Sequence, residues 1–460
     1  MSERTPARPA RRPIEMIGGF ESTYMPAHDV DVTETTGHDE RWREDLALMR
    51  QAGVTRLRYP IRWHRIERAP GRYDWAQTDA VMEHMAEQGL RPIVDLVHHT
   101  SYPRWLHAGF ADRRFASAYL RYAERFATRY PWVREYTLFN EPFATLFLCG
   151  GEGAWPPYGR GVEGLARLLR NVLPTVAEAS RLYADLLPEA RHVWVDTCEH
   201  HSADPADDGA VRHAALCNDR RFVVLDLMLG RCEAAGRPFV EQLVDAAGDE
   251  LLTLPPGRVD VLGLDYYAHS EWFYDANGGV APSPRPRGLA SLATEYWERY
   301  RLPVMLSETN IRGYASDRAT WLRYTLAECE RARDAGVPME AYCWFPFVDS
   351  CDWDSLLARC EGNIDPVGVH WLDEHLDRRE SSMSASYRLA AAGVPAGELP
   401  AYRLRPPVAA WLSGYGDRLA GSRVLDPPDG EDGSRGTPHV ASSPLSFGVR
   451  PVRARTRRSA

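Results

Sequence analysis

Two glutamates stand directly behind short apolar runs, Glu141 after Tyr136-Thr137-Leu138-Phe139-Asn140 and Glu308 after Pro303-Val304-Met305-Leu306-Ser307. A carboxylate at the end of a buried strand is costly unless it is paired, hydrogen-bonded or protonated. For one such residue a structural salt bridge or a helix cap explains the placement as well as catalysis does. Two that converge on a single opening point to acid/base work. Other residues follow apolar runs in the same way: Glu21, Arg58, His98, Asn140, Glu199, Asp265, Tyr267 and Trp344. Arg58, set among apolar neighbours, needs an anionic partner whatever its role.

Whether these groups meet depends on the elements that carry them. Trp42, Leu46 and Met49 recur at helical spacing, as do Phe115, Tyr119, Tyr122 and Phe126, which predicts two helices with buried stripes. Gly53, Gly89 and Gly336 each follow such a helix and precede an apolar segment, the αβ half of a parallel βαβ unit. Eight β-rich segments result: Met16–Phe20, Val54–Ile61, Pro92–Val97, Glu135–Phe139, His192–Asp196, Val259–Leu264, Pro303–Ser307 and Met339–Trp344. Their number and spacing predict an α/β chain folded as a (β/α)8 TIM barrel, in which strand C-terminal ends line the active site. A doubly wound open sheet is the alternative, but Gly18-Gly19-Phe20-Glu21 lacks the G-x-G-x-x-G turn expected there. The expected organisation is a disordered basic N-terminus over 1–13, a barrel over 14–376 and a partly helical extension over 377–420. Residues 421–460, rich in Gly, Pro and Ser, are expected to be a disordered tail.

Leu138-Phe139-Asn140-Glu141-Pro142 and Leu306-Ser307-Glu308 resemble the acid/base and nucleophile signatures of family 1 glycoside hydrolases, the β-glucosidase-like retaining enzymes of the (β/α)8 clan. The resemblance runs in order along the barrel. Leu57-Arg58-Tyr59-Pro60-Ile61-Arg62-Trp63 is similar to the family's second strand, Ile93-Val94-Asp95-Leu96-Val97-His98 to its third and Gly263-Leu264-Asp265-Tyr266-Tyr267 to its sixth. Asp349-Ser350-Cys351-Asp352-Trp353 resembles its sugar-binding segment near the eighth. The resemblance implies retaining hydrolysis of β-linked glycosides, with Glu308 as nucleophile and Glu141 as acid/base. It further implies that Arg58 and Tyr267 support Glu308, and that Asn140, His98, Trp344, Asp352 and Trp353 contact the sugar. The implied partner is a small glycoside or oligosaccharide. Departures from the family pattern are Met25 for Gln, His99 for Trp, Asp265 for Asn, Thr309 for Asn and Asp352 for Glu. A transglycosylase on the same scaffold and a carbohydrate-binding barrel without catalysis remain as alternatives.

Composition removes other chemistries. All 55 basic residues are arginines, so no lysine can form a Schiff base or serve a P-loop or kinase site. Relatives that take phosphorylated sugars commonly place a lysine near the phosphate; here only an arginine such as Arg359 could stand in. The net charge of −9 argues against a nucleic-acid partner. No apolar run is long enough to span a membrane, and Pro6, Pro9 and Pro13 interrupt the apolar stretch a signal peptide would need, so a cytoplasmic location is expected. The eight scattered cysteines predict buried thiols. Adjacent strand residues point to opposite faces, so His98-His99 and His200-His201 predict no metal site, and the acidic cluster Asp349, Asp352 and Asp354 lacks calcium-loop spacing. No cofactor is implied, and oligomeric state is not encoded in any motif.

Overall fold

The computed structural model describes residues 13–419 and 423–428. Eight parallel strands close into a barrel: β1 (Glu15–Gly19), β2 (Arg56–Pro60), β3 (Arg91–Asp95), β4 (Glu135–Thr137), β5 (Arg191–Thr197), β6 (Val261–Asp265), β7 (Val304–Glu308) and β8 (Met339–Trp344). β1 seals the ring by pairing with both β2 and β8. The closed ring excludes the open-sheet alternative.

Each strand is followed by an outer helix: α1 (His38–Gln51), α2 (Ala76–Glu87), α3 (Phe115–Arg129), α4 (Gly161–Leu186), α5 (Asp208–Met228), α6 (Leu289–Tyr300), α7 (Ala315–Asp334) and α8 (Ser382–Ala391). The three glycines end α1, α2 and α7 in the left-handed region, at φ 86°, 65° and 97°. At the first, the Gly53 amide donates to Arg50 and the Val54 amide reaches back to Met49, which turns the chain from helix to strand. The aromatic stripe of α3 is wholly buried, as are Leu46 and Met49 on α1.

Helix α8 packs against α7 and β1 and completes the outer ring, although residues 377–420 were expected to lie outside the barrel. The long excursion between β8 and α8 supplies cavity wall, which displaces the last helix along the chain. Residues 1–12, 420–422 and 429–460 lie outside the described residues, and with them almost all of the two segments expected to be disordered. Within 423–428 the chain is paired: Leu425 donates to Ala401 and accepts from Arg403.

Period-two alternation sorts the strand residues. Ile17, Ile93, Val193, Val195, Val261, Met305, Ala341, Cys343 and Phe345 form a separate core inside the barrel. At its N-terminal end, Arg56 grips Glu135 with two 2.7 Å bonds, and Arg191 bridges Glu135 to Glu340. All eight cysteines are free thiols, and only Cys360 is not fully buried. No described helix is long and apolar enough to cross a membrane.

Between β4 and α4 the chain forms a wide π-type turn over Phe147–Glu152, held by glycine packing. A Cβ on Gly150 would sit 2.7 Å from the Gly164 carbonyl oxygen, and one on Gly164 would overlap the carbonyl of Gly150. Gly164→Ala must therefore push the turn away from α4, and overpacking of this kind costs about 1–3 kcal/mol. The expected result is a lowered melting temperature by calorimetry.

Candidate active site

A cavity of about 380 Å³ opens at the C-terminal ends of the strands, lined by Glu141, Glu308, Tyr267, Phe345, Glu21, His99 and Trp353 among others. Glu141 lies just past β4 in the left-handed region, at φ 43° and ψ 63°. The short helix Pro142–Leu146 begins immediately after it and exposes amides that need acceptors. Asp196 of β5 takes that role, accepting from Phe143 at 2.9 Å and Ala144 at 3.4 Å. Glu141 is thus spared from capping its own helix, and its carboxyl is left to the cavity. A non-glycine residue held in this backbone region is a form of strain concentrated at functional sites.

Glu308 owes its direction to a bulge. Simple alternation after the inward Met305 would turn Glu308 outward, but the pairing of β7 with β6 shifts between Leu306 and Glu308. The extra residue brings Glu308 beside Asp265, while Ser307 donates to Asp265 Oδ1 at 2.6 Å. Arg58 Nη1 donates to Glu308 Oε1 at 2.5 Å and the Tyr267 hydroxyl to Oε2 at 2.6 Å. The other Arg58 nitrogen serves Asp95 at 3.1 Å and Asn140 Oδ1 at 2.7 Å. Because Arg58 claims the amide oxygen of Asn140, its Nδ2 is left as a donor with no partner among the described residues.

Glu141, Asp265 and Glu308 each offer a carboxylate oxygen, and the three atoms lie within 4.8 Å of one another. Burial, followed by the charges of Glu308, Asp265 and Asp196, raises the Glu141 carboxyl well above its ordinary range. Burial and Glu308 do the same to Asp265, against the pull of Arg58 and Ser307. Such a trio has the spacing for a divalent cation, but Arg58 already supplies the counter-charge at Glu308, and the raised carboxyls of Glu141 and Asp265 both favour the neutral form, which eases the remaining repulsion.

His98 and His99 do not diverge as adjacent strand residues would. β3 ends at Asp95, His99 adopts φ 47°, and the two rings come within 4.5 Å. His98 Nδ1 bonds Asp95 at 2.8 Å, and Nε2 lies 3.3 Å from Glu21. Burial alone would discharge His98, but Glu21 and Asp95 raise it to about 10. Burial and that neighbouring charge instead hold His99 well below the usual imidazole range.

Two expected sugar contacts lie elsewhere. Trp344 is fully buried, its indole donating to the Val367 carbonyl at 2.9 Å, because Cys343 and Phe345 take the inward positions on either side of it. Phe345 reaches the cavity instead. Asp352 is occupied by the loop that follows, accepting from the amides of Glu361, Gly362 and Asn363 at 2.8–3.0 Å. Its neighbour Trp353 does line the cavity. Met25 is buried in a small hairpin with Val30. Arg359 is exposed and paired with Asp354.

Several wall residues carried no signal in the sequence. Trp411 arrives from beyond the barrel, tied to Ala268 by its indole. Arg312 pairs with Asp365 at 2.9 Å on the wall, and Trp155 donates to Leu356 at 2.7 Å. Glu152 is brought in by the π-type turn, where burial raises it to about 7. The paired prolines after Trp155 were the one hint of a fixed loop there.

Residues 24–299 match the family model described as glycosyl hydrolase family 1, a span that contains Glu141 and stops before Glu308. Beta-glucosidase A of Thermotoga maritima is 22% identical over 379 residues, covering 74% of this chain and 83% of the relative. A beta-glucosidase of Agrobacterium sp. is 24% identical over 412 residues, covering 78% and 85%. The solved family 1 b-glucosidase from Thermotoga maritima superposes with a TM-score of 0.71 at 16% identity, covering 84% of this chain and 99% of that one.

Proposed function

This chain belongs to glycosyl hydrolase family 1, and we propose that it hydrolyses small β-linked glycosides with retention at the anomeric carbon, through a covalent glycosyl intermediate on Glu308. The observation that carries this reading is that the two glutamates face each other across one cavity with oxygens within 4.8 Å, while Arg58 and Tyr267 hold Glu308 on the nucleophile side.

In the first step a Glu308 oxygen attacks the anomeric carbon as the bond to the leaving oxygen breaks, and the Glu141 proton passes to that oxygen. In the second, water attacks the same carbon, its proton returns to Glu141, and Glu308 departs as a carboxylate. Tyr267 and Arg58 steady Glu308, and the free Asn140 donor suits a hydrogen bond to the sugar 2-hydroxyl. Hydrolysis of aryl β-glucosides and β-galactosides, followed by proton NMR, is the test. The β-anomer is expected to appear first; first appearance of the α-anomer would sink the reading. The apolar wall of Trp155, Trp353, Trp411 and Ile311 also favours a second outcome, transfer of the sugar to an added alcohol, which the same spectra would reveal as an alkyl glycoside.

A further inference from the structure

From sequence, His98 was expected to meet a ring hydroxyl, but both its ring nitrogens already face carboxylates, Asp95 at 2.8 Å and Glu21 at 3.3 Å. Glu21, which faces His98, lines the cavity, as does His99 beside it. Its Oε1 is committed to the protein, accepting from the Ser22 amide at 2.9 Å, the Thr23 amide at 2.8 Å and the Thr23 hydroxyl at 2.7 Å. No donor among the described residues reaches Oε2. Asn140 offers the sugar a donor, whereas Asp352 is consumed by a loop and Met25, standing where the family pattern has Gln, is buried and apolar.

We infer that Glu21 is the residue that selects the glycone, using Oε2 to accept hydrogen bonds from ring hydroxyls. Although burial would raise it, the His98 charge and the local donors hold the carboxyl at about 2, so it is an acceptor at any working pH. An acceptor of this kind recognises a neutral, hydroxyl-bearing sugar and repels one that carries phosphate or carboxylate at the same place. Glu21 is also the outer end of an alternating chain. Glu21 faces His98, His98 bonds Asp95, Asp95 bonds Arg58, and Arg58 bonds Glu308. Sugar recognition and nucleophile positioning therefore share one set of contacts.

The inference rests on the cavity being the glycone site of the preceding reading, so its test is one of binding, which requires no turnover. The probes are phenyl 1-thio-β-D-glucopyranoside and its 2-, 3-, 4- and 6-deoxy forms, titrated by calorimetry. Removing at least one hydroxyl is expected to weaken wild-type binding about tenfold or more, as for a hydrogen bond to a charged group. Glu21→Gln keeps an oxygen for the Ser22 and Thr23 donors but replaces the second oxygen with an amide. It should bind the parent glycoside about tenfold more weakly and be indifferent to that same deletion. Glu21→Asp, which withdraws the charge by one methylene, carries the same expectation and serves if the first variant melts abnormally. A wild type indifferent to every deletion, or folded variants that keep its full deoxy profile, would overturn the role of Glu21. Intact deoxy selectivity with no retaining turnover would instead fault the mechanism.

Discussion

Glu308→Ala lowers kcat/KM for aryl β-glycosides by roughly ten-thousand-fold or more, the scale on which loss of a nucleophile is felt. The reason is geometric as well as chemical. Glu308 is turned inward by the bulge between β6 and β7 and gripped by Arg58 and Tyr267, and no other carboxylate among the described residues has that combination of approach and support. Asp265 offers an oxygen within 4.8 Å of the pair, but one of its oxygens is held by Ser307 and burial beside Glu308 disfavours its charged form, the form that could attack. Steady-state kinetics on a dinitrophenyl glycoside measure the loss. A 2-deoxy-2-fluoro glycoside should leave a covalent sugar on the wild-type peptide containing Glu308, read by mass spectrometry. A label on Glu141 or Asp265 would reverse the assignment.

Glu141→Ala produces a different pattern. Its proton matters in proportion to the basicity of the leaving oxygen, so alkyl and phenyl glycosides should lose about 10²–10⁴-fold in kcat/KM, while a dinitrophenyl glycoside loses far less in the first step. Added azide should restore turnover of the activated substrate and yield a β-glycosyl azide, because a small anion fits where the carboxylate was. The pH profile supplies an independent check. In the proposed mechanism Glu141 works from its protonated form, so kcat/KM should fall as pH rises through its pKa, which burial and the charges of Glu308, Asp265 and Asp196 place well above the ordinary carboxylate value. The basic limb should therefore lie well above pH 4.5 in the wild type and vanish in Glu141→Ala. A basic limb unchanged by the substitution would assign it to another group.

Much of the barrel was legible in the residues. All eight β-rich segments became barrel strands, and the glycines after α1, α2 and α7 ended those helices as their positions predicted. These features are local: a left-handed cap, a buried run and a helical stripe are each written in a few consecutive residues. Strand order brings Glu141 and Glu308 to one mouth, since a parallel barrel gathers every strand end there, while the register shift in β7 is what turns Glu308 into it. The errors arose where one residue of register decides the face. Trp344 and Phe345 are equally aromatic and adjacent, yet alternation sends the first outward and the second to the cavity. Asp352 failed for another reason, since nothing in its neighbours announces that three amides of a returning loop will claim both its oxygens.

The sequence by itself determined the barrel, the two glutamates at its mouth and the absence of any lysine chemistry. Tertiary structure alone decided how those groups are charged and what they can touch. It set Arg58 beneath Glu308, placed a third carboxylate beside the pair and turned His98 into a cation between Asp95 and Glu21. It also carried Trp411 from beyond α8 to the cavity wall. The division has a physical cause. Strand and helix signals are short-range properties of the chain, whereas protonation and ligand recognition depend on burial and on charges a few ångströms away that come from residues far apart in sequence.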